Sequence, residues 1–98
     1  MSQYFFSKEA EKDLIDIYRY GFLAHGKHQA EQYLQSLKEM CQFLATNPKL
    51  SHERREFTPP IRINGHKQHL IIYLSNEDSI TVVRILHKKM DVPNHLDH

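Results

Sequence analysis

The sequence predicts an α+β fold: a helical hairpin packed on one face of an antiparallel sheet, in the order β-α-α-β-β-β, with a short C-terminal tail. Three observations carry this. Through the first half, apolar residues recur at steps of three and four, the period of a helix face. From residue 61 onward the period falls to two, that of a strand. Between the two helical patterns stands only His25-Gly26, so the helices are joined too tightly to do anything but run antiparallel. At 98 residues the chain fits one domain, 1–98, with a core that needs no staples.

Gln3-Tyr4-Phe5-Phe6 is short and aromatic and opens the chain as a strand. Ser7 stands where an N-cap belongs, and Glu9 and Glu11 favour the positive end of the helix that follows. Ala10, Leu14, Ile17, Tyr18 and Gly21 share one face of that helix. Gly26 supplies the stop. The second helix follows in Ala30, Tyr33, Leu34, Leu37, Met40, Cys41 and Leu44, and Asn47-Pro48 ends it, because the residue before proline is pushed out of helical geometry. Lys49 to Pro60 is polar, carries two adjacent prolines and reads as a loop. Ile61 to Ile63 is then a strand, Asn64-Gly65 the strongest short turn signal, His66 to Leu74 a second strand, Asn76 to Asp78 a turn and Ile80 to His87 a third strand. Apolar residues fall on both faces of the last two, as expected of central strands, and the helical hairpin is the available cover. Met90 to His98 is a tail with a helical turn around Asn94-His95-Leu96.

Composition narrows the function classes. A single cysteine cannot form an internal bridge, which fits a reducing cytoplasm. The longest apolar run, Leu70 to Leu74, falls far short of the roughly 20 residues of a membrane span. The N-terminus has neither the charged start nor the long apolar segment of a signal peptide. Formal charge is +1. Residues 1–48 carry 5 basic and 6 acidic side chains and residues 49–98 carry 8 and 6, so an anionic partner is expected at the second half.

Arg62, Lys67, His69, Arg84 and His87 are the polar residues set on or beside the strands. The two-residue period puts Lys67 and His69 on one face, whereas Arg84 and His87, three apart, share a site only if a bulge or a strand end intervenes. Such a cluster suits a phosphate chain or acid–base cleavage of RNA; long cations lying on a solvated sheet face are the plainer alternative. The pairs His66-x2-His69 and His95-x2-His98 invite a metal, but strand geometry opposes the first and no carboxylate or thiolate completes a tetrahedral set. Cys41 lies on the apolar stripe and reads as a small core residue. No glycine-rich phosphate loop or nucleophile elbow is present, and no cofactor is expected.

Val82-Val83-Arg84-Ile85-Leu86-His87-Lys88-Lys89-Met90-Asp91-Val92 resembles the closing motif of ParE toxins: an arginine, two apolar residues, a histidine, then Met-Asp. Ser7-Lys8-Glu9-Ala10, Gln29 to Leu34, Ala45-Thr46-Asn47-Pro48 and His69 to Tyr73 match the same family in order. The segment from Pro48 to Arg62 is shorter than the family's and lacks its glycine-rich stretch.

The resemblance implies a type II toxin–antitoxin toxin of the RelE/ParE superfamily. It implies a protein that binds DNA gyrase, traps it on cleaved DNA and arrests growth by stopping replication. It also implies a ParD-like antitoxin whose disordered tail folds onto the toxin, and operator DNA reached only through that antitoxin, with higher-order assembly of the pair. Apolar anchors at helical spacing on the first helix, Ile15, Phe22 and Leu23, are the expected antitoxin contacts in a groove between the layers. Arg62, Lys67, His69, Arg84 and His87 are the expected target contacts. A ribosome-dependent endonuclease of the RelE kind, or an inactive interaction module on the same fold, is the alternative.

Overall fold

The structure, a computed structural model, describes residues 2–90 and 92–96. Its elements are β1 (Gln3–Phe6), α1 (Lys8–His25), α2 (Lys27–Thr46), β2 (Glu53–Arg54), β3 (Ile61–His66), β4 (His69–Ser75), β5 (Ser79–His87) and α3 (Val92–Leu96). They form the α+β architecture expected, with the helical hairpin laid on a five-stranded sheet.

Ser7 caps α1 as its position suggested: its Oγ accepts from the Ala10 amide at 3.0 Å. The same hydroxyl donates to the Val83 carbonyl at 2.8 Å, and the Ser7 amide donates to the Val82 carbonyl at 2.9 Å, so one residue starts the helix and sews it to the last strand. Gly26 is the whole connection between the helices. It sits at φ 90°, ψ 169°, extended backbone of a hand that only glycine adopts without strain. Its amide closes α1 onto the Phe22 carbonyl and its own carbonyl receives the Ala30 amide. Asn47 ends α2.

The sheet differs from expectation in two respects. It runs β1-β5-β4-β3-β2, and β1 pairs with β5 in parallel, so the sheet is mixed and not wholly antiparallel. Segment 49–60, read as a loop, contributes a two-residue edge strand that pairs Glu53 with Arg62 and Arg54 with Ile61.

The Asn64-Gly65 turn does not form. Both residues lie inside β3, and the chain reverses at Lys67-Gln68, with Lys67 at φ 53°. Cross-strand packing decides the matter. A turn at residues 64–65 would set Ile63 against His66, whereas the longer strand pairs Ile63 with Ile72 and Asn64 with Ile71. The side-chain pairs outweigh the local turn preference.

The core has two layers. Leu14, Leu37, Cys41 and Leu44 of the helices pack on Ile71, Tyr73, Ile80, Val82 and Ile85 of the sheet. On the opposite face Ile61, Ile72 and Leu86 form a second cluster under Phe57, Val92 and Leu96. The hairpin is therefore not the only cover, since the 49–60 segment and α3 shield the other face. Among the described residues no helix is long and apolar enough to cross a membrane.

Candidate functional site

The connected end of the hairpin, the tip of β3–β4 and the end of β5 enclose a groove of about 790 Å³. α2 brings Tyr33 to its floor. The Tyr33 hydroxyl pairs with Nδ1 of His69, the first residue of β4, and the Lys67 ammonium lies 5.5 Å from the centre of the Tyr33 ring. His69 faces His87 across the β4–β5 ladder, the two rings edge to face at 5.5 Å. The Lys89 amide donates to His87 Nδ1 at 3.1 Å, so the neutral ring carries its proton on Nε2. His66 closes the end of β3. The Ser36 hydroxyl spends its proton on the Tyr33 carbonyl, so His66 Nε2 is the donor to Ser36 Oγ at 3.0 Å.

Burial, with the charges of His87 and His66 beside it, pushes His69 down to about 4, against the pull of Asp13. His66 is lowered by burial and by Lys67. Burial raises the Tyr33 phenol, which a backbone contact at Gln68 partly offsets. At neutral pH the floor of the groove is thus an uncharged Tyr–His pair with positive charge at its rim.

Lys67, His69 and His87 are brought together as expected, although Lys67 reaches Tyr33 from a turn and not from a strand. Arg62 and Arg84 are elsewhere. Arg62 Nη1 donates to the Ser51 carbonyl at 2.7 Å, and its buried Nε has no partner among the described residues; this side chain braces the 49–54 segment. Arg84 makes a bidentate pair with Asp13 of α1, Nε to Oδ2 at 2.8 Å and Nη2 to Oδ1 at 3.0 Å, and donates from Nη1 to the His95 carbonyl at 3.0 Å. The hydrogen bonding to Asp13 raises Arg84 above its ordinary value.

A bulge does interrupt β5, between the partners of Ile72 and Tyr73, but it lies before Arg84. It turns Val82 and Ile85 to the helices, and Arg84 and His87 stay on opposite faces, as a regular strand requires. His66 and His69 flank the turn as cross-strand neighbours on one face, so the expectation that they point apart is corrected. Among the described residues no cluster of three or more side chains could hold a metal ion. Asp91 and His98, singled out in the sequence, lie outside the described residues.

Ile15, Phe22 and Leu23 do not line the groove. They project from the solvent side of α1, 58%, 46% and 84% exposed, in place of the expected position between the layers.

The family model described as the ParE toxin of the type II toxin–antitoxin system parDE matches residues 4–92. The chain belongs to that family. It is 34% identical over 96 residues to Toxin ParE1 of Mycobacterium tuberculosis, covering 97% of this chain and 98% of the relative. It is 30% identical over 97 residues to Toxin ParE of Escherichia coli, covering 98% and 94%. A chain from the chromosomal ParDE system of P. aeruginosa shares the fold, with a TM-score of 0.73 at 20% identity over 89% of this chain and 95% of that one.

Sequence reasoning missed Asp13, Tyr33 and Lys89. Asp13 carried a readable signal: it is a charge beside Ala10, Leu14 and Ile17 on the buried side of α1, and such a position demands a cation from the sheet. Tyr33 looked like one more apolar stripe residue, and nothing local marked its hydroxyl.

Proposed function

We propose that this toxin arrests replication by binding DNA gyrase and holding it on cleaved DNA, and that it acts in the cytoplasm without a cofactor. The match to the ParE family over residues 4–92 is the observation that carries this reading. The groove supports action by binding. A base that takes the proton of a ribose 2′-hydroxyl works best with a pKa near 7, and His69 at about 4 is a weak one. Lys67, His69 and His87 are the proposed target contacts. Arg62 and Arg84 serve them indirectly, by holding the 49–54 segment and the tail.

A ParD-type antitoxin neutralises the toxin in this proposal, and the ParDE origin of the structural neighbour supports it. Ile15, Phe22 and Leu23 recur at one helical face of α1 and offer apolar anchors to an amphipathic segment. Operator DNA is reached through the antitoxin, within a larger assembly of the two proteins.

The test is supercoiling by purified gyrase. Toxin at micromolar concentration abolishes supercoiling and accumulates cleaved DNA, and His87→Ala weakens the effect at least about tenfold while leaving the fold intact. Unimpaired supercoiling together with cleavage of mRNA on translating ribosomes would replace this reading with the endonuclease one.

A further inference from the structure

We propose that the groove between the hairpin and the β3–β4 tip is a binding site for a phosphate ester that carries an aromatic base: a nucleotide, free or at the end of a strand. The inference rests on the groove alone and stands whichever enzyme the toxin acts on.

The groove combines charged and apolar lining. Lys67, Lys89 and His87 all line it, and His87 Nε2 has no hydrogen-bond partner among the described residues. Two ammonium groups and an imidazole N–H are a set suited to the oxygens of a phosphate. Ile17, Tyr20 and Met90 add apolar lining. Tyr20 is 74% exposed and Met90 45% exposed, so an aromatic face and a thioether stand uncovered at the mouth. Gln29, Gln68 and Asp16 also line the groove, with the donors and acceptors that a base edge requires. The volume of about 790 Å³ falls within the range of small-molecule sites. Asp16 is the carboxylate in the lining and repels a phosphate placed beside it.

The position of Lys67 strengthens the case. Lys67 is the non-glycine residue held at positive φ among those described. The register that pairs Ile63 with Ile72 puts Lys67 at the reversal, in a conformation that non-glycine residues seldom adopt. The result is an ammonium held over the groove floor from a rigid hairpin tip. His69, held neutral by burial, adds no competing charge to the floor.

Histidine side-chain nitrogen spectra of the full chain at neutral pH test the proposal, with AMP, adenosine, inorganic phosphate and a short thymidine strand with and without a 5′-phosphate as probes. AMP shifts the His87 and His69 ring signals with a Kd below about 1 mM, and adenosine or phosphate alone binds at least about tenfold more weakly. Lys67→Asn, which suits positive φ and keeps the fold, weakens AMP about tenfold and leaves adenosine unchanged. Tighter binding of the 5′-phosphorylated strand than of AMP assigns the site to strand ends; the reverse assigns it to free nucleotides. Absence of ring shifts with AMP and with the phosphorylated strand at millimolar concentration overturns the proposal. So does binding that Lys67→Asn and Lys89→Met both leave unchanged.

Discussion

Asp13→Ala removes the carboxylate that links α1 to the open edge of β5. β1 pairs with β5 only through Val82, and Asp13 Oδ2 takes over beyond it by accepting the Ile85 amide at 2.9 Å. The same carboxylate holds Arg84 in two charge-assisted bonds, with side-chain exposures of 12% for Asp13 and 20% for Arg84. Stranding a largely buried guanidinium costs about 3–5 kcal/mol, and the fifth that still reaches water places this case near 3. An amide without an acceptor adds about 1 kcal/mol at a partly wet sheet edge. The loss is then roughly 4 kcal/mol out of the 5–15 typical of a domain, a fall in Tm of about 15–30 °C. Asp13→Asn keeps one acceptor for the Ile85 amide and loses about half as much.

Urea unfolding followed by circular dichroism, on Asp13→Asn, Arg84→Met and the double variant, isolates the pair. A coupling of at least about 1.5 kcal/mol is expected. A cost below about 1 kcal/mol for Asp13→Ala, or a double variant additive within about 0.5 kcal/mol, would refute the reasoning.

Three further outcomes follow from the structure. His69 is neutral when folded, at about 4, and near 6.5 when unfolded, so its contribution is complete above pH 6.5 and is lost as pH falls towards 4. The full difference would be about 3.4 kcal/mol, which solvent screening at a half-buried ring reduces to about 1–2; His69→Asn should flatten that part of the stability–pH curve relative to the parent. Gly26→Ala meets no steric obstacle within 4 Å yet must adopt φ 90°, and thermal unfolding should show a loss of about 1–3 kcal/mol. Cys41 is fully buried and its thiol is pushed up to about 12, so a thiol reagent should modify it only at the rate of unfolding, and reaction within mixing time would contradict its place in the core.

The period change at residue 61, the Ser7 cap and the Asn47-Pro48 stop all translate directly into elements, because each is decided within a few residues. What failed was decided across the sheet. Asn64-Gly65 loses to the Ile63–Ile72 pair, a contact between residues nine apart whose weight no local motif reveals. The parallel seating of β1 on β5 depends on how the hairpin crosses the sheet, and the extra residue in β5 shows itself only when Val82 and Ile85 both turn inward. The site was half legible for the same reason. Lys67 and His69 are two residues apart and stay together in either turn, and His87 reaches them by pairing with His69. Their organising group is Tyr33, which is 36 residues from His69 and hidden in an ordinary helix stripe.

The two arginines change how loss-of-function variants of this toxin should be interpreted. Arg84 is the centre of the closing motif, yet its guanidinium is divided between Asp13 and the His95 carbonyl, with no component directed into the groove. An Arg84→Ala toxin that fails to arrest growth would therefore have lost its tail seating and much of its stability before any question of target contact arises. His87→Ala removes a ring whose hydrogen bond is a local one from the Lys89 amide, and it should cost less than about 1 kcal/mol. If both residues touch the target, growth arrest fails in both at every temperature. If Arg84 acts through the fold, Arg84→Ala regains toxicity when the cells are grown well below its lowered Tm, or when Asp13 is replaced at the same time by a neutral residue that relieves the stranded charge. His87→Ala regains it under neither condition. Growth arrest scored at two temperatures, beside the measured Tm of each variant, separates a residue that contacts the target from one that holds the contacting surface in place.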